Sequence, residues 1–210
     1  MDNPAVKLSR NEHLIFFGDS LTRRGSRRNG FIQLIRKAFA GAPETRMIRI
    51  TEAGVSGNRV PDLEARLDRD VLAWNPTLVV IWIGINDVWH SLSGGGTPEP
   101  LYEAGLHRLL TRIRETGSRI LLCTPSVIGE KRQGSNPLDG LLDRYTAISH
   151  DVAASLSVPV LDLRRCFCEH LTKVNPGNAE KKVLTLDGVH LNDRGNQFLA
   201  DCMMTIFQVA

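Results

Sequence analysis

No apolar run in this chain approaches the ~20 residues needed to span a bilayer, which excludes an integral membrane protein. The opening Met1-Asp2-Asn3-Pro4-Ala5-Val6-Lys7 lacks the apolar centre of an export signal, so a cytoplasmic location is expected. There is no concentrated basic face. A net charge of +3 gives no reason to expect a nucleic-acid partner, although Arg23, Arg24, Arg27 and Arg28 form one local cluster. The four cysteines, Cys123, Cys166, Cys168 and Cys202, show no C-x-x-C spacing and read as buried thiols in a reducing compartment. Cys166 and Cys168 have no second pair nearby, so no metal site is expected. Gly94-Gly95-Gly96 lacks the Lys-Ser/Thr ending and leading strand of a phosphate loop. With no low-complexity tract, short repeat or long linker, the 210 residues read as one domain with its core at about 13–207.

What is present is an alternation of strand and helix patterns. Leu14-Ile15-Phe16-Phe17 is a buried strand, and Phe31, Leu34, Ile35, Ala38 and Phe39 mark one face of a helix. Met47-Ile48-Arg49-Ile50 predicts a second strand running into the loop Ala53–Asn58, and Pro61 then suits the first turn of a helix carrying Leu63, Leu67 and Val71. Leu78–Ile83 has no polar alternation, as expected of a strand buried on both faces of a parallel sheet. A helix through Tyr102, Leu106, Leu109, Leu110 and Ile113 follows, then a strand at Ile120–Cys123 and a helix through Leu141, Leu142, Tyr145, Ile148 and Val152. Val158–Leu161 predicts a last short strand, and Phe198, Leu199, Cys202, Met203 and Ile206 a closing helix. Five β-α repeats imply an α/β fold, a three-layer α/β/α sandwich around a five-stranded parallel sheet.

The polar residues of interest fall at strand ends, which in a parallel sheet share one edge. Ser20 follows the first strand in Gly18-Asp19-Ser20-Leu21; taken alone, that Asp-Ser pair reads as a helix cap. Asp187 and His190 flank Gly188, and a turn there lets the carboxylate orient the imidazole while its other nitrogen takes a proton from Ser20. Gly57 and Asn86, with the Ser20 N–H, are candidate donors to the oxygen that becomes negative when a serine attacks an ester.

Gly18-Asp19-Ser20-Leu21, Gly54-Val55-Ser56-Gly57-Asn58, Gly84-Ile85-Asn86-Asp87 and Asp187-Gly188-Val189-His190, in this order, resemble the four blocks of the SGNH hydrolases, also called GDSL esterases and lipases. The resemblance implies a flavodoxin-like fold with no cofactor. It also implies Ser20 as nucleophile, Gly57 and Asn86 as oxyanion donors, and Asp187 with His190 completing a triad. The ending Leu186–Leu191, followed by Gly195-Asn196, is similar to small single-domain acyl esterases of the family.

The expected function is therefore hydrolysis of small-molecule carboxylic esters through an acyl-enzyme, with short acyl groups such as acetyl esters of sugars or small alcohols. Lipase, lysophospholipase and thioesterase activities are alternatives on the same fold. A non-catalytic carbohydrate-binding protein would lack the triad, and a metal-dependent phosphoesterase would need more clustered histidines. Asp19 and Asp87 are expected to brace their loops. Trp89 and His90 are possible pocket walls, and the loops at 90–100 and 125–137 are expected to shape the pocket. Arg23 and Arg24 are either solvated charge or an attraction for acidic substrates. His13, His107, His150 and His170 have no matched acid block and are expected to be structural. Oligomeric state is open.

Overall fold

Apolar runs that end in glycine or a small polar residue become strands whose carboxyl ends line up. In the computed structural model, which describes residues 5–209, the chain opens with β1 (Val6–Leu8) and β2 (His13–Gly18). Helices α1 (Ser20–Gly25) and α2 (Phe31–Gly41) lead to β3 (Arg49–Gly54) and α3 (Val60–Asp70). Then come β4 (Leu78–Trp82), α4 (Ile85–Trp89), α5 (Glu99–Glu115), β5 (Arg119–Cys123) and α6 (Asp139–Ser155). The last elements are β6 (Val160–Leu161), α7 (Leu163–Val174), α8 (Asp193–Ile206) and β7 (Phe207–Val209).

Strands β3, β2, β4, β5 and β6 form, in that order, one five-stranded parallel sheet. Every residue of β4 is buried, which is the reason for its unbroken apolar sequence at the sheet centre. Edge strand β3 is half-exposed and accordingly carries Thr51 and Glu52. Helices α3, α5 and α6 pack as one layer, while α2 and α7 each pack against α8. Gly18 pairs in register with Gly54 on one side and Trp82 on the other, and Trp82 with Cys123. The loops that follow these strands therefore start from one edge.

The structure departs from the sequence pattern in identifiable places. The second sheet strand starts at Arg49 rather than Met47 and runs on through Ala53 to Gly54, because backbone pairing with β2 continues beyond the apolar residues. The last sheet strand is only Val160–Leu161. Helix α7 has no counterpart in the pattern above, and β1 pairs in parallel with β7 as a separate two-stranded sheet. The Arg-rich stretch after the first strand reads as a loop, but Arg23 and Arg24 lie in the last turn of α1. Among the described residues no helix is long and apolar enough to cross a membrane.

Candidate active site

Strand β2 delivers Ser20 to the sheet edge. Asp19, not Ser20, is the helix cap: its Oδ1 accepts from the Leu21 N–H at 2.8 Å, leaving Ser20 as the first residue of α1. An N–H in the first turn has no partner within its helix, so the Ser20 N–H is available to an anion. The Ser20 side chain is almost wholly buried, and its Oγ lies 3.0 Å from His190 Nε2.

Asp187 holds the other side of that imidazole. Its Oδ2 is 2.7 Å from His190 Nδ1, and its Oδ1 accepts from the His190 N–H at 2.8 Å and the Val189 N–H at 3.1 Å. The turn depends on Gly188, whose φ of +100° is costly for any residue with a side chain. Burial by itself pushes the Asp187 carboxyl up, but the three bonds from His190 and Val189 together hold it below its ordinary value. An ionised carboxylate only accepts, so Nδ1 carries the proton and Nε2 presents a lone pair to Ser20.

The loop bearing Asp187 is braced by Glu130, a residue with no place in the sequence pattern. Fully buried, it accepts from the Val183 N–H through Oε2 and from the Leu184 and Thr185 N–H groups through Oε1, at 2.8, 2.6 and 2.6 Å. The Gly129 N–H also donates to the Gly188 carbonyl at 2.8 Å. A lone glutamate in a polar loop carries no spacing signal, so only the folded chain shows what it holds.

Gly57, in the loop after β3, is exposed, with φ +81°, and open space lies where a side chain would project. Its N–H makes no internal hydrogen bond among the described residues. Asn86 is buried at the start of α4; its Nδ2 donates to the Asn58 carbonyl at 3.0 Å and reaches Asp19 Oδ2 only at 3.4 Å. The second bond is long and weak, so one amide proton can turn to a ligand. Asp19 and Asp87 do brace loops. Asp19 caps α1, and Asp87 Oδ1 accepts from the Val60 N–H at 3.1 Å, tying α4 to α3. Burial pushes the Asp19 carboxyl up to about 7 and the Asp87 carboxyl up to about 6.

Trp89 meets the His190 ring edge-on, with centroids 6.1 Å apart. It walls a cavity of about 200 Å³ together with Leu92, Ile128, Pro137, Asp187 and Val189. Both loops expected to shape a pocket thus contribute. His90 is not part of this lining; it starts a single turn of 3-10 helix and its carbonyl accepts from the Gly95 N–H. Arg23 is exposed and Arg24 half-buried, one helical turn beyond Ser20.

Two further expectations need correction. Of the four thiols, all free, only Cys123 is buried; the other three are half-exposed because they lie along the flanks of α7 and α8. His150 does have an acid partner, since its Nε2 lies 3.2 Å from Asp162 Oδ2 at the start of α7. Among the described residues no three His, Cys, Asp or Glu side chains are grouped to hold a metal ion.

A serine hydroxyl, an imidazole held by a carboxylate, and nearby N–H groups at the carboxyl edge of a parallel α/β sheet define a serine hydrolase. The chain belongs to the GDSL-like lipase/acylhydrolase family, whose pattern it matches over residues 16–198. A curated relative, an acetylxylan esterase from Geobacillus stearothermophilus, is 30% identical over 211 residues, covering 93% of each chain. Among solved structures, the acetyl xylan esterase AlAXEase has a TM-score of 0.90 at 39% identity, over 92% of this chain and 98% of that one. The crystal structure of the Geobacillus stearothermophilus acetylxylan esterase gives 0.84 at 28% identity, over 96% of both chains. This chain is a serine esterase.

Proposed function

We propose that the protein removes short acyl groups, acetyl above all, from hydroxylated substrates such as acetylated xylose-based sugars. The observation that carries the mechanism is the unbroken line Ser20 Oγ, His190, Asp187, at 3.0 and 2.7 Å. Ser20 attacks the ester carbonyl as His190 Nε2 takes its proton, and the oxyanion is met by the N–H groups of Ser20 and Gly57 and by the Asn86 amide. His190 then protonates the departing sugar hydroxyl. Water, deprotonated by the same imidazole, attacks the acyl-enzyme and releases the acid.

The cavity beside Trp89 bears on substrate size. It meets the catalytic loop at Asp187 and Val189, not Ser20 itself, and its volume of about 200 Å³ lies below the ~300–1,000 Å³ of pockets that enclose drug-sized ligands, which favours a small substrate group beside the triad over a lipid chain. The similar proteins point the same way, since they are acetylxylan esterases.

The experiment is a panel of esters of increasing acyl length followed by acetylated xylooligosaccharides, run beside Ser20→Ala. Rates should fall steeply beyond the shortest acyl groups, and Ser20→Ala should lower kcat by about 10⁶-fold. Wild-type turnover in Ser20→Ala sinks the mechanism; a preference for long acyl chains sinks the substrate class.

A further inference from the structure

Arg66 sits in the middle of α3, outside all four motif blocks, and is only 7% exposed. Its guanidinium donates to the end of β2, which leads into the nucleophile, and to the end of the neighbouring edge strand β3. Nη2 donates to the Gly18 carbonyl at 2.7 Å, immediately before Asp19 and Ser20, and Nη1 donates to the Ala53 carbonyl of β3 at 3.0 Å. Nε donates to Asn58 Oδ1 at 2.6 Å. The charge is balanced by Asp70, 2.9 Å away and four residues further along the helix, and the guanidinium lies 4.5 Å from the centre of the Phe17 ring. A planar fork with five donors satisfies these partners at once, whereas a lysine has one nitrogen to place among them.

The Asn58 contact leads into the site. Asn58 follows Gly57 directly, and its own carbonyl accepts from Asn86 Nδ2. Arg66 thereby grips the side chain of the residue whose backbone fixes both proposed side donors: Gly57 through the peptide bond and Asn86 through the hydrogen bond. Its bond to Gly18 anchors the third donor, the Ser20 N–H, two residues away. We infer that Arg66, acting through Asn58 on Gly57 and Asn86 and through the Gly18 carbonyl on Ser20, is the positioning residue of the oxyanion site, holding its three donors in one mutual geometry. The inference rests on the esterase mechanism above. Donors of this kind accelerate the reaction only when they are already aimed at the position of the developing charge, so a loss of register is read in kcat.

The test uses Asn58→Ala, which cuts the link without emptying the buried arginine site, beside Arg66→Lys and the double variant. Active serines are titrated with a phosphonate so that kcat is counted per folded site, and a boronic acid that forms a tetrahedral adduct on Ser20 reports oxyanion binding. Each single variant should lower kcat about 10- to 100-fold with KM within about twofold, and weaken the boronic acid in step with kcat. The double variant should be no slower than the slower single one, since both cut the same chain. A kcat per titrated serine within about twofold of wild type in Asn58→Ala, a change in KM in place of kcat, or losses that multiply would overturn it. Those outcomes leave Ser20→Ala inactive; an active Ser20→Ala would instead reject the mechanism itself.

Discussion

Asp187 and Asp19 are two carboxyls of one site that environment pulls apart. Asp187 is held low by three donors, so its contribution to stability is present above the ordinary carboxylate range and is lost as pH falls through its folded value. Asp19 is the opposite case. Burial raises it from 3.8 to about 7, so across that window the folded chain keeps a proton that the unfolded chain has released. Stability therefore declines as pH climbs through the window, then levels off above the folded value. Asp19→Asn keeps an oxygen for the Leu21 N–H and cannot ionise. Its melting temperature relative to wild type should accordingly rise from pH 5 to pH 8, where scanning calorimetry can follow it; a difference that does not change with pH removes burial of Asp19 as a cause of pH dependence.

Elements meet at the catalytic loop with little room to spare. Gly195 is the third residue of α8, where Asn192 caps the helix by accepting the Gly195 N–H at 3.0 Å. A Cβ added there would stand 2.0 Å from the Leu184 carbonyl, part of the segment that Glu130 grips just before Asp187. In an open helix Gly→Ala stabilises by ~1 kcal/mol. Gly195→Ala should instead cost about 1–3 kcal/mol in urea unfolding, the usual range for overpacking, and lower kcat by displacing Thr185 and Asp187. A higher unfolding midpoint would show that α8 can slide without disturbing the loop. The same elements explain what was hidden in the sequence. Helix α7 buries Leu163, Phe167 and Leu171 on a narrow stripe, and Arg164 on that helix reads as a solvent residue yet is buried. Asp139 and Asp143 neutralise it at 2.7 and 2.8 Å from another helix, a pairing with no local signature.

At the scale of the molecule, the parallel topology is what made the site legible. Ser20, Asn86 and the residues near Gly57 follow strands β2, β4 and β3, so recognising strand ends was enough to place them on one edge; Asp187 and His190 were readable from the turn between them. Arg66 and Glu130 were not readable: Glu130 grips backbone N–H groups and Arg66 two strand-end carbonyls, which have no sequence identity, and the link from Arg66 to the Asn58 side chain has no spacing signature. The same edge carries an asymmetry of charge. Arg23, Arg24, Arg27 and Arg28 form no ion pair among the described residues, although arginines elsewhere, such as Arg108 and Arg164, pair with carboxylates. Arg23 and Arg24 stand three and four residues beyond Ser20 on α1, where side chains share a helix face at roughly 5–6 Å between Cβ atoms. Exposed charges act on a bound anion across a screening length of ~8 Å at physiological salt, so an acetylated sugar that bears a carboxylate should be favoured over its neutral counterpart. The advantage should be about three- to fivefold in kcat/KM, as ~1 kcal/mol or less of screened attraction allows, and should fade as salt is raised. Arg23→Ala with Arg24→Ala should remove it while leaving the neutral ester nearly unaffected. An acidic-to-neutral ratio that is the same in the double variant and indifferent to salt would mean that the cluster is solvated charge and that the pocket alone chooses the substrate.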